Sequence, residues 1–188
     1  MNTILVSMLV VAIAEIGDKT QLLAIVLATR FKRPLPIVLG IFVATLANHA
    51  LAATAGAMVS DLLTGTWFRY AVAVSFIAMG LWALVPDTLE EQPAATGTGA
   101  NVFLSTLVAF FLVEIGDKTQ IATAALAARF HQIALVTVGT TLGMMLANVP
   151  AVYLGEAATR VVPLRWVRIG AALIFVGLGV WGLVEATG

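Results

Sequence analysis

One stretch organises this chain, Glu15-Ile16-Gly17-Asp18-Lys19-Thr20-Gln21, which places ionisable side chains inside a long apolar run. The same seven residues return, letter for letter, as Glu114-Ile115-Gly116-Asp117-Lys118-Thr119-Gln120. We call residues 15–21 the first motif and residues 114–120 the second motif. A charged side chain in the hydrocarbon of a bilayer costs about 2.5–3.5 kcal/mol on insertion scales. Two copies of such a costly pattern predict a function for it, and an ion pathway is the first hypothesis.

The composition indicates an integral membrane protein. Of the 188 residues, 61% are hydrophobic and 11% are charged, and the mean hydropathy is +1.03, whereas soluble proteins carry roughly 25% charged residues. A formal net charge of zero and the lack of a long basic block argue against nucleic-acid binding. The absence of cysteine excludes disulfides, thiolate metal ligands and cysteine nucleophiles. The first apolar run continues into the first motif, which predicts a spanning segment rather than a cleaved signal peptide.

Six apolar segments are long enough to cross a bilayer core of ~30 Å, which takes ~20 helical residues. They are residues 3–29, 37–59, 67–85, 102–128, 133–155 and 166–184. Residues 86–100 are acidic and contain glycine and proline, which predicts a flexible linker between two halves. The sequence therefore predicts an all-α integral membrane protein with six transmembrane helices, built from two three-helix repeats, residues 1–85 and residues 101–188.

The halves repeat each other with a period of 99 residues, the separation of Glu15 and Glu114. Other matched pairs are Gly40 with Gly139, Gly80 with Gly179, and Trp82 with Trp181. Asn48 and Asn148 are one residue further apart, so the second half carries one insertion before Asn148. Because each half has three spans, the second half should enter the membrane from the opposite side. This predicts inverted repeats related by an axis in the membrane plane.

Basic residues of the short loops predict the orientation, because they concentrate on the cytoplasmic side. With both termini outside, the basic residues that face the cytoplasm are Arg30, Lys32, Arg33, Arg160, Arg165 and Arg168. Only Arg69 and Arg129 then face outward. We therefore expect both termini outside.

Helix geometry brings both motifs to the centre of the membrane. Glu15 and Glu114 each lie about 18 Å into a core of ~30 Å, counted from opposite faces. The predicted primary ligands are four carboxylates, those of Glu15, Asp18, Glu114 and Asp117. Lys19 and Lys118 neutralise only half of that charge, and one divalent cation or two protons would balance the rest. Competition of cation and protons for the same carboxylates predicts an exchange of one for the other.

The other polar residues near the motifs are oxygen donors. Additional predicted metal ligands are Gln21, Gln120, Asn48 and Asn148, and the asparagines are alternatively clamps on the carboxylates. Carboxylate, amide and hydroxyl oxygens without thiolates favour hard cations such as Ca²⁺, Mn²⁺ or Mg²⁺. Thr20 and Thr119 are expected to support the site, with each hydroxyl bonded to the carbonyl four residues earlier, and ligation of the metal by these hydroxyls is the alternative.

The motif lysines allow two interpretations. Lys19 and Lys118 either pair with the glutamate one helical turn before them or extend to a membrane interface, or they are internal cations that occupy the empty site. A straight helix over residues 3–29 would be ~40 Å long, so it requires either a strong tilt or a break. Gly17 and Gly116 favour a kink or an unwound turn. His49 lies mid-membrane and is a candidate proton relay. Its counterpart is Val149, so the alternative is a packed, hydrogen-bonded histidine.

Two complete copies of E-x-G-D-K-T, in two three-helix halves joined by an acidic linker, resemble the Gdt family of Ca²⁺/Mn²⁺:H⁺ antiporters, which is grouped with the lysine-exporter superfamily. The resemblance covers the whole chain. It implies a transporter rather than an enzyme, driven by a proton gradient, with no cofactor besides the transported divalent cation and with metal ion, protons and lipid as partners. A bacterial inner membrane is the expected location. Mn²⁺ and Ca²⁺ both stay open as substrates.

Three alternatives have other mechanisms. Membership of the superfamily would also suit an exporter of amino acids or other small organic cations. A membrane hydrolase with paired carboxylates is disfavoured by the lack of HExxH and GxSxG patterns. A passive channel is disfavoured because a symmetric, duplicated site is what alternating access requires.

Overall fold

Eight α-helices occupy most of the described residues in the computed structural model of the chain, which describes residues 2–63, 65–85, 102–155 and 164–187. The helices are α1 (Thr3–Glu15), α2 (Lys19–Phe31), α3 (Pro34–Leu62), α4 (Thr66–Ala83), α5 (Val102–Glu114), α6 (Lys118–Phe130), α7 (Ile133–Leu154) and α8 (Leu164–Thr187). These ranges contain no strand, which confirms the predicted all-α class. The predicted linker 86–100 and Arg160 lie outside the described residues.

Four helices, α3, α4, α7 and α8, are long and apolar enough to cross a membrane. The apolar helices α1 and α5 have only 13 residues each, about 20 Å of helix. Together with α2, α1 occupies the first predicted segment, and α5 with α6 occupies the fourth. The membrane-spanning character of the chain is thereby supported, while six spans and their inverted topology stay predictions.

Each motif breaks the helix that carries it. In the first motif α1 ends at Glu15, Gly17 has a φ of 81°, and the extended residue Asp18 is the N-cap of α2. The second motif repeats this geometry, with a φ of 76° at Gly116. Glycine adopts such angles without the steric penalty of a Cβ atom. The predicted unwound turn at the two glycines is confirmed.

The two halves pack on each other through reciprocal contacts. Helix α7 packs on α1, and its counterpart α3 packs on α5. A Cβ atom added to Gly139 would come within 2.6 Å of the Ile4 carbonyl oxygen, and one added to Gly40 within 2.8 Å of the Phe103 carbonyl oxygen. Ile4 and Phe103 are themselves one repeat period apart. Small residues thus let the backbones approach equally closely at both equivalent crossings.

Helices α4 and α8 pack mainly on each other. Gly80 lies against Ala172 of α8, and Gly179 lies against Ala73 of α4, so this crossing is also reciprocal. The pair sits asymmetrically on the rest of the bundle, however. Among the described residues α4 packs on α6 and α8 packs on α1, whereas the equivalent contacts of α8 with α2 and of α4 with α5 are sparse at most.

The apolar core has two parts. One surrounds Phe76 and Phe175, whose stacked rings lie 6.4 Å apart between α4 and α8. The other surrounds Ile41 and Phe110, where α3 meets α5. Large apolar side chains such as Leu173 are exposed on the outer surface, as expected for helices that face lipid.

Candidate cation site

The four motif carboxylates are buried together. Glu15 and Glu114 have no exposed surface, and Asp18 and Asp117 are 2% and 3% exposed. The negative charges of Asp18, Asp117 and Glu114 all act on the Glu15 carboxylate. Ionised carboxylates in such an environment repel one another strongly, because little water screens them. The two motifs therefore form one acidic region that requires cations or protons.

Each motif glutamate is hydrogen-bonded by an asparagine of the opposite half. Asn148 Nδ2 donates to Glu15 Oε1 at 3.4 Å, and Asn48 Nδ2 donates to Glu114 Oε2 at 3.4 Å. Both asparagines are fully buried. The α1–α7 and α3–α5 packings bring these residues together, so the same polar contact is made twice.

Several oxygens of this region accept no hydrogen bond within the described parts of the chain. They are Glu15 Oε2, Glu114 Oε1, Asn48 Oδ1 and Asn148 Oδ1. Buried polar atoms are normally satisfied, and carboxylate and amide oxygens are the ligands that hard cations prefer. Across the same residues, no three His, Cys, Asp or Glu side chains are grouped closely enough to hold one metal ion. The oxygens are available, but this conformation does not gather the carboxylates around one point.

Lys19 joins the two motifs. Its Nζ lies 2.9 Å from Asp117 Oδ1. The break at Gly17 separates Lys19 from Glu15, so the two residues no longer stand one turn apart on a continuous helix, as the counterion interpretation assumed. In the second motif, Lys118 Nζ donates to the Val85 carbonyl oxygen at 3.3 Å.

The two lysines differ in their surroundings although the motifs are identical. The side chain of Lys19 is 26% exposed, whereas Lys118 is buried, with its Nζ 5.7 Å from the centre of the Trp82 ring. The asymmetric position of the α4–α8 pair explains the difference, because Val85 and Trp82 come from the α4 end of that pair.

Gln21 and Gln120 bind the broken turn of their own motif. The Gly17 N–H donates to Gln21 Oε1 at 2.8 Å, and the Gly116 N–H donates to Gln120 Oε1 at 2.7 Å. Gln21 Nε2 also donates to the Ala147 carbonyl oxygen at 3.1 Å. In this conformation the glutamines therefore stabilise the breaks, and cation ligation by them stays a prediction.

The prediction that each motif threonine bonds to the carbonyl four residues before it is wrong. Thr119 Oγ1 donates to Asp117 Oδ2 at 3.2 Å, and the buried Thr20 Oγ1 makes no hydrogen bond within the described residues. The physical reason is the break, because the carbonyl four residues before each threonine belongs to Ile16 or Ile115, outside helices α2 and α6. Thr119 instead orients the carboxylate of its own motif.

His49 is fully buried beside Glu114, with Nε2 3.3 Å from Glu114 Oε1. Neither of its ring nitrogens meets hydrogen-bond geometry with any described residue. Thr45, which the sequence analysis missed, donates to Glu114 Oε2 at 3.5 Å. Its position one helical turn before Asn48 is the signal that could have revealed it, since that spacing puts two side chains on one face.

Two cavities of very different size adjoin the α4–α8 pair. A small one of about 20 Å³ touches the first motif at Gly17 and Asp18 and is also lined by Lys118 and Arg168. It has room for about one water molecule. A cavity of about 510 Å³ lies between the ends of α3, α4, α6 and α8. Its lining includes Arg129, whose Nη2 lies 2.6 Å from Glu185 Oε2, and no motif residue.

Ionisable side chains buried in a helical membrane protein typically mark ion pathways, and duplicated halves are typical of transporters. The chain belongs to the GDT1 family of divalent cation/proton antiporters, whose family model matches residues 3–91 and 102–188. The resemblance drawn from the two motifs is thereby confirmed. The protein is a cation transporter and not an enzyme.

Relatives from bacteria and plants match the chain over most of its length. The "Putative manganese exporter" of Vibrio cholerae serotype O1 is 47% identical over 176 residues, which cover 93% of this chain and 87% of the relative. GDT1-like protein 5 of Arabidopsis thaliana is 25% identical and covers 92% of this chain and 91% of its own length. GDT1-like protein sll0615 of Synechocystis is 27% identical, with coverages of 89% and 90%. No solved structure matches the chain.

Proposed function

We propose that the protein exchanges Mn²⁺ for protons across the membrane, and that the two ions compete for Glu15, Asp18, Glu114 and Asp117. The observation that carries this proposal is the state of the two glutamates. Each is fully buried and bound by an asparagine of the other half, and each keeps one carboxylate oxygen without a hydrogen bond to the described residues. Such oxygens bind either a cation or a proton.

The helix ends add to the attraction for a cation. Helices α1 and α5 both end at their motif glutamate, and the C-terminal end of a helix carries a partial negative charge. In inverted-repeat transporters, the ends of broken helices are where coupling ions are coordinated. The broken helices therefore support a central cation site.

The choice of Mn²⁺ is supported by the Vibrio cholerae relative that is named for manganese export. The oxygen ligands alone would also suit Ca²⁺, so Ca²⁺ is the competing substrate. The small cavity beside the first motif has room for about one water molecule, which favours an ion over an amino acid or another organic cation.

Lys19 fits the role of an internal cation. Its ion pair with Asp117 spans the two motifs, where a bound Mn²⁺ would also sit. Cation entry then displaces the ammonium group from Asp117, and cation exit lets it return. Lys19 thereby limits the charge left buried when neither Mn²⁺ nor protons are bound.

Alternating access would use the asymmetry of the α4–α8 pair. The pair now packs on α1 and α6, and the internal repeat makes α5 and α2 the equivalent partners in an opposite state. We infer six spans in two inverted repeats, residues 1–85 and 101–188, with both termini outside a bacterial inner membrane. Export is then the direction that a cytoplasmic Mn²⁺ load would drive.

Transport into liposomes tests the proposal. Purified protein reconstituted without other components should move Mn²⁺ when a pH gradient is imposed, and collapse of the gradient by a protonophore should stop net movement against a Mn²⁺ gradient. Ca²⁺ and lysine serve as competing substrates in the same assay. Lysine transport without Mn²⁺ or Ca²⁺ transport would overturn the proposal in favour of an organic-cation exporter.

A further inference from the structure

The two motif glutamates have different neighbours, although the motifs themselves are identical. The residues of α3 around Glu114 are Thr45, Asn48 and His49. Their counterparts in α7 on the Glu15 side are Met145, Asn148 and Val149. The asparagine is present on both sides. The imidazole of His49 is present only on the Glu114 side, where it adds a potential nitrogen ligand.

His49 adds a nitrogen to a group of unsatisfied oxygens. Its Nε2 lies 3.3 Å from Glu114 Oε1. Within the described residues neither atom makes a hydrogen bond, and the neighbouring Asn48 Oδ1 makes none either. All three side chains are fully buried. Leaving polar groups unsatisfied in the interior is costly, so three of them on adjoining side chains point to a ligand that they share.

We propose that His49 is a nitrogen ligand of the transported cation, bound together with Glu114 and the amide oxygen of Asn48, and that this nitrogen sets the preference for a transition-metal cation over Ca²⁺ and Mg²⁺. The inference rests on the proposed function and names the residue that selects the substrate. The proposed ligand set is one imidazole, one carboxylate and one amide. It is therefore compatible with the absence of a group of three His, Cys, Asp or Glu side chains among the described residues.

The preference follows from ligand chemistry. Ca²⁺ and Mg²⁺ are bound by oxygen ligands almost throughout. Imidazole nitrogen is a common ligand of first-row transition metals. An imidazole therefore adds affinity for Mn²⁺ and little for Ca²⁺ or Mg²⁺. Val149, at the equivalent position, supplies no ligand. The discrimination between Mn²⁺ and Ca²⁺ should therefore come from the Glu114 side of the site.

Pulsed electron paramagnetic resonance of bound Mn²⁺ tests the assignment directly, because it detects nitrogen atoms that coordinate the metal. The protein is purified through a tag without histidine. The chain has two histidines, His49 and His131, and His131 lines the large cavity, away from the motifs. Wild-type protein and the matched control His131→Gln should show ¹⁴N coupling to Mn²⁺, and His49→Val, which introduces the residue of the other half, should not.

The ratio of affinities gives a second readout. In His49→Val the Kd for Mn²⁺ should rise about tenfold or more, while the Kd for Ca²⁺ should stay near the wild-type value. If His49→Val does not fold, wild-type protein labelled with ¹⁵N-histidine replaces it, because the label must change the coupling frequency when histidine binds the metal.

Different results would contradict the role of His49 and the proposed Mn²⁺/proton exchange. Bound Mn²⁺ without nitrogen coupling in wild-type protein, or an unchanged Mn²⁺/Ca²⁺ ratio in His49→Val, would overturn the role of His49 and leave the transport proposal intact. Absence of any Mn²⁺ or Ca²⁺ binding to wild-type protein would overturn the proposed function itself.

Discussion

Lys19 of the first motif and Asp117 of the second form an ion pair, with Nζ 2.9 Å from Oδ1. The ammonium group of Lys19 and the carboxylate of Asp117 come from different halves of the protein. The pair places a protein cation in the acidic region where a metal ion would compete with it. Asp117 is 3% exposed, so loss of the lysine would leave a buried charge without this partner.

Replacement of Lys19 by Met should make the protein depend on its substrate for stability. The variant should unfold at a lower temperature than wild type in metal-free detergent solution, because Asp117 loses its cation. Added Mn²⁺ should raise the unfolding temperature of Lys19→Met by more than that of wild type, since the metal replaces the missing charge. Lys32→Met is the matched control, because Lys32 is exposed at the end of α2. Equal shifts for all three proteins would contradict the role of Lys19 as an internal cation.

The carboxylates should each be required for coupling. Glu15→Gln, Asp18→Asn, Glu114→Gln and Asp117→Asn each remove one site for which Mn²⁺ and protons compete. Release of protons on Mn²⁺ addition, followed with a pH-sensitive dye in proteoliposomes, should fall to the background of empty liposomes. Asp61→Asn, at an exposed acid near the end of α3, should release protons as wild type does. Full coupling in all four motif variants would rule out carboxylate competition.

Both asparagines should contribute to cation binding, because each orients a motif glutamate. Asn48→Ala and Asn148→Ala each remove the donor to a glutamate at the same distance of 3.4 Å. Loss of a group that orients a metal ligand typically costs 10–100-fold in affinity, so we expect about that increase in the Kd for Mn²⁺. Isothermal titration of the purified variants measures it. Asn48→Ala should have the larger effect, because the Asn48 amide oxygen is also a proposed ligand. An unchanged Kd in both variants would contradict a role of the two asparagine–glutamate hydrogen bonds in cation binding.

A side chain at Gly116 should strain the backbone at its positive φ angle. Alanine there meets no atom within 4 Å, so its cost comes only from a φ of 76°, about 1–2 kcal/mol for an L-residue in this region. Gly116→Ala should therefore lower the free energy of unfolding and reduce transport, because it weakens the break between α5 and α6. Gly170→Ala is the matched control, since Gly170 lies within α8 with equally open surroundings. Unfolding in graded denaturant compares the two, and equal stability would contradict a required left-handed turn.

The α4–α8 pair should change partners during transport. Arg129 Cζ now lies 4.9 Å from the centre of the Trp181 ring, and the equivalent residues of the first half are Arg30 and Trp82. Because the chain contains no cysteine, cross-links between introduced cysteines are specific. A short cross-linker should join positions 129 and 181 in one condition of pH and Mn²⁺, and positions 30 and 82 in the opposite condition. Cross-linking of positions 129 and 181 alone in every condition would exclude the exchange of partners.

Hydropathy, duplication and glycine placement are local properties, so the sequence by itself determined the membrane class, the two halves, the buried motifs and the breaks at Gly17 and Gly116. Only the tertiary structure decided which side chains meet. Asn48 binds Glu114, and Lys19 binds Asp117, because close crossings at Gly40 and Gly139 pack α3 on α5 and α7 on α1. These pairings join residues 66 or more positions apart, and no periodicity within one helix reveals them. The physical reason is that the residue type fixes the charge of a side chain, whereas the packing of helices from the two halves decides which side chain lies next to it.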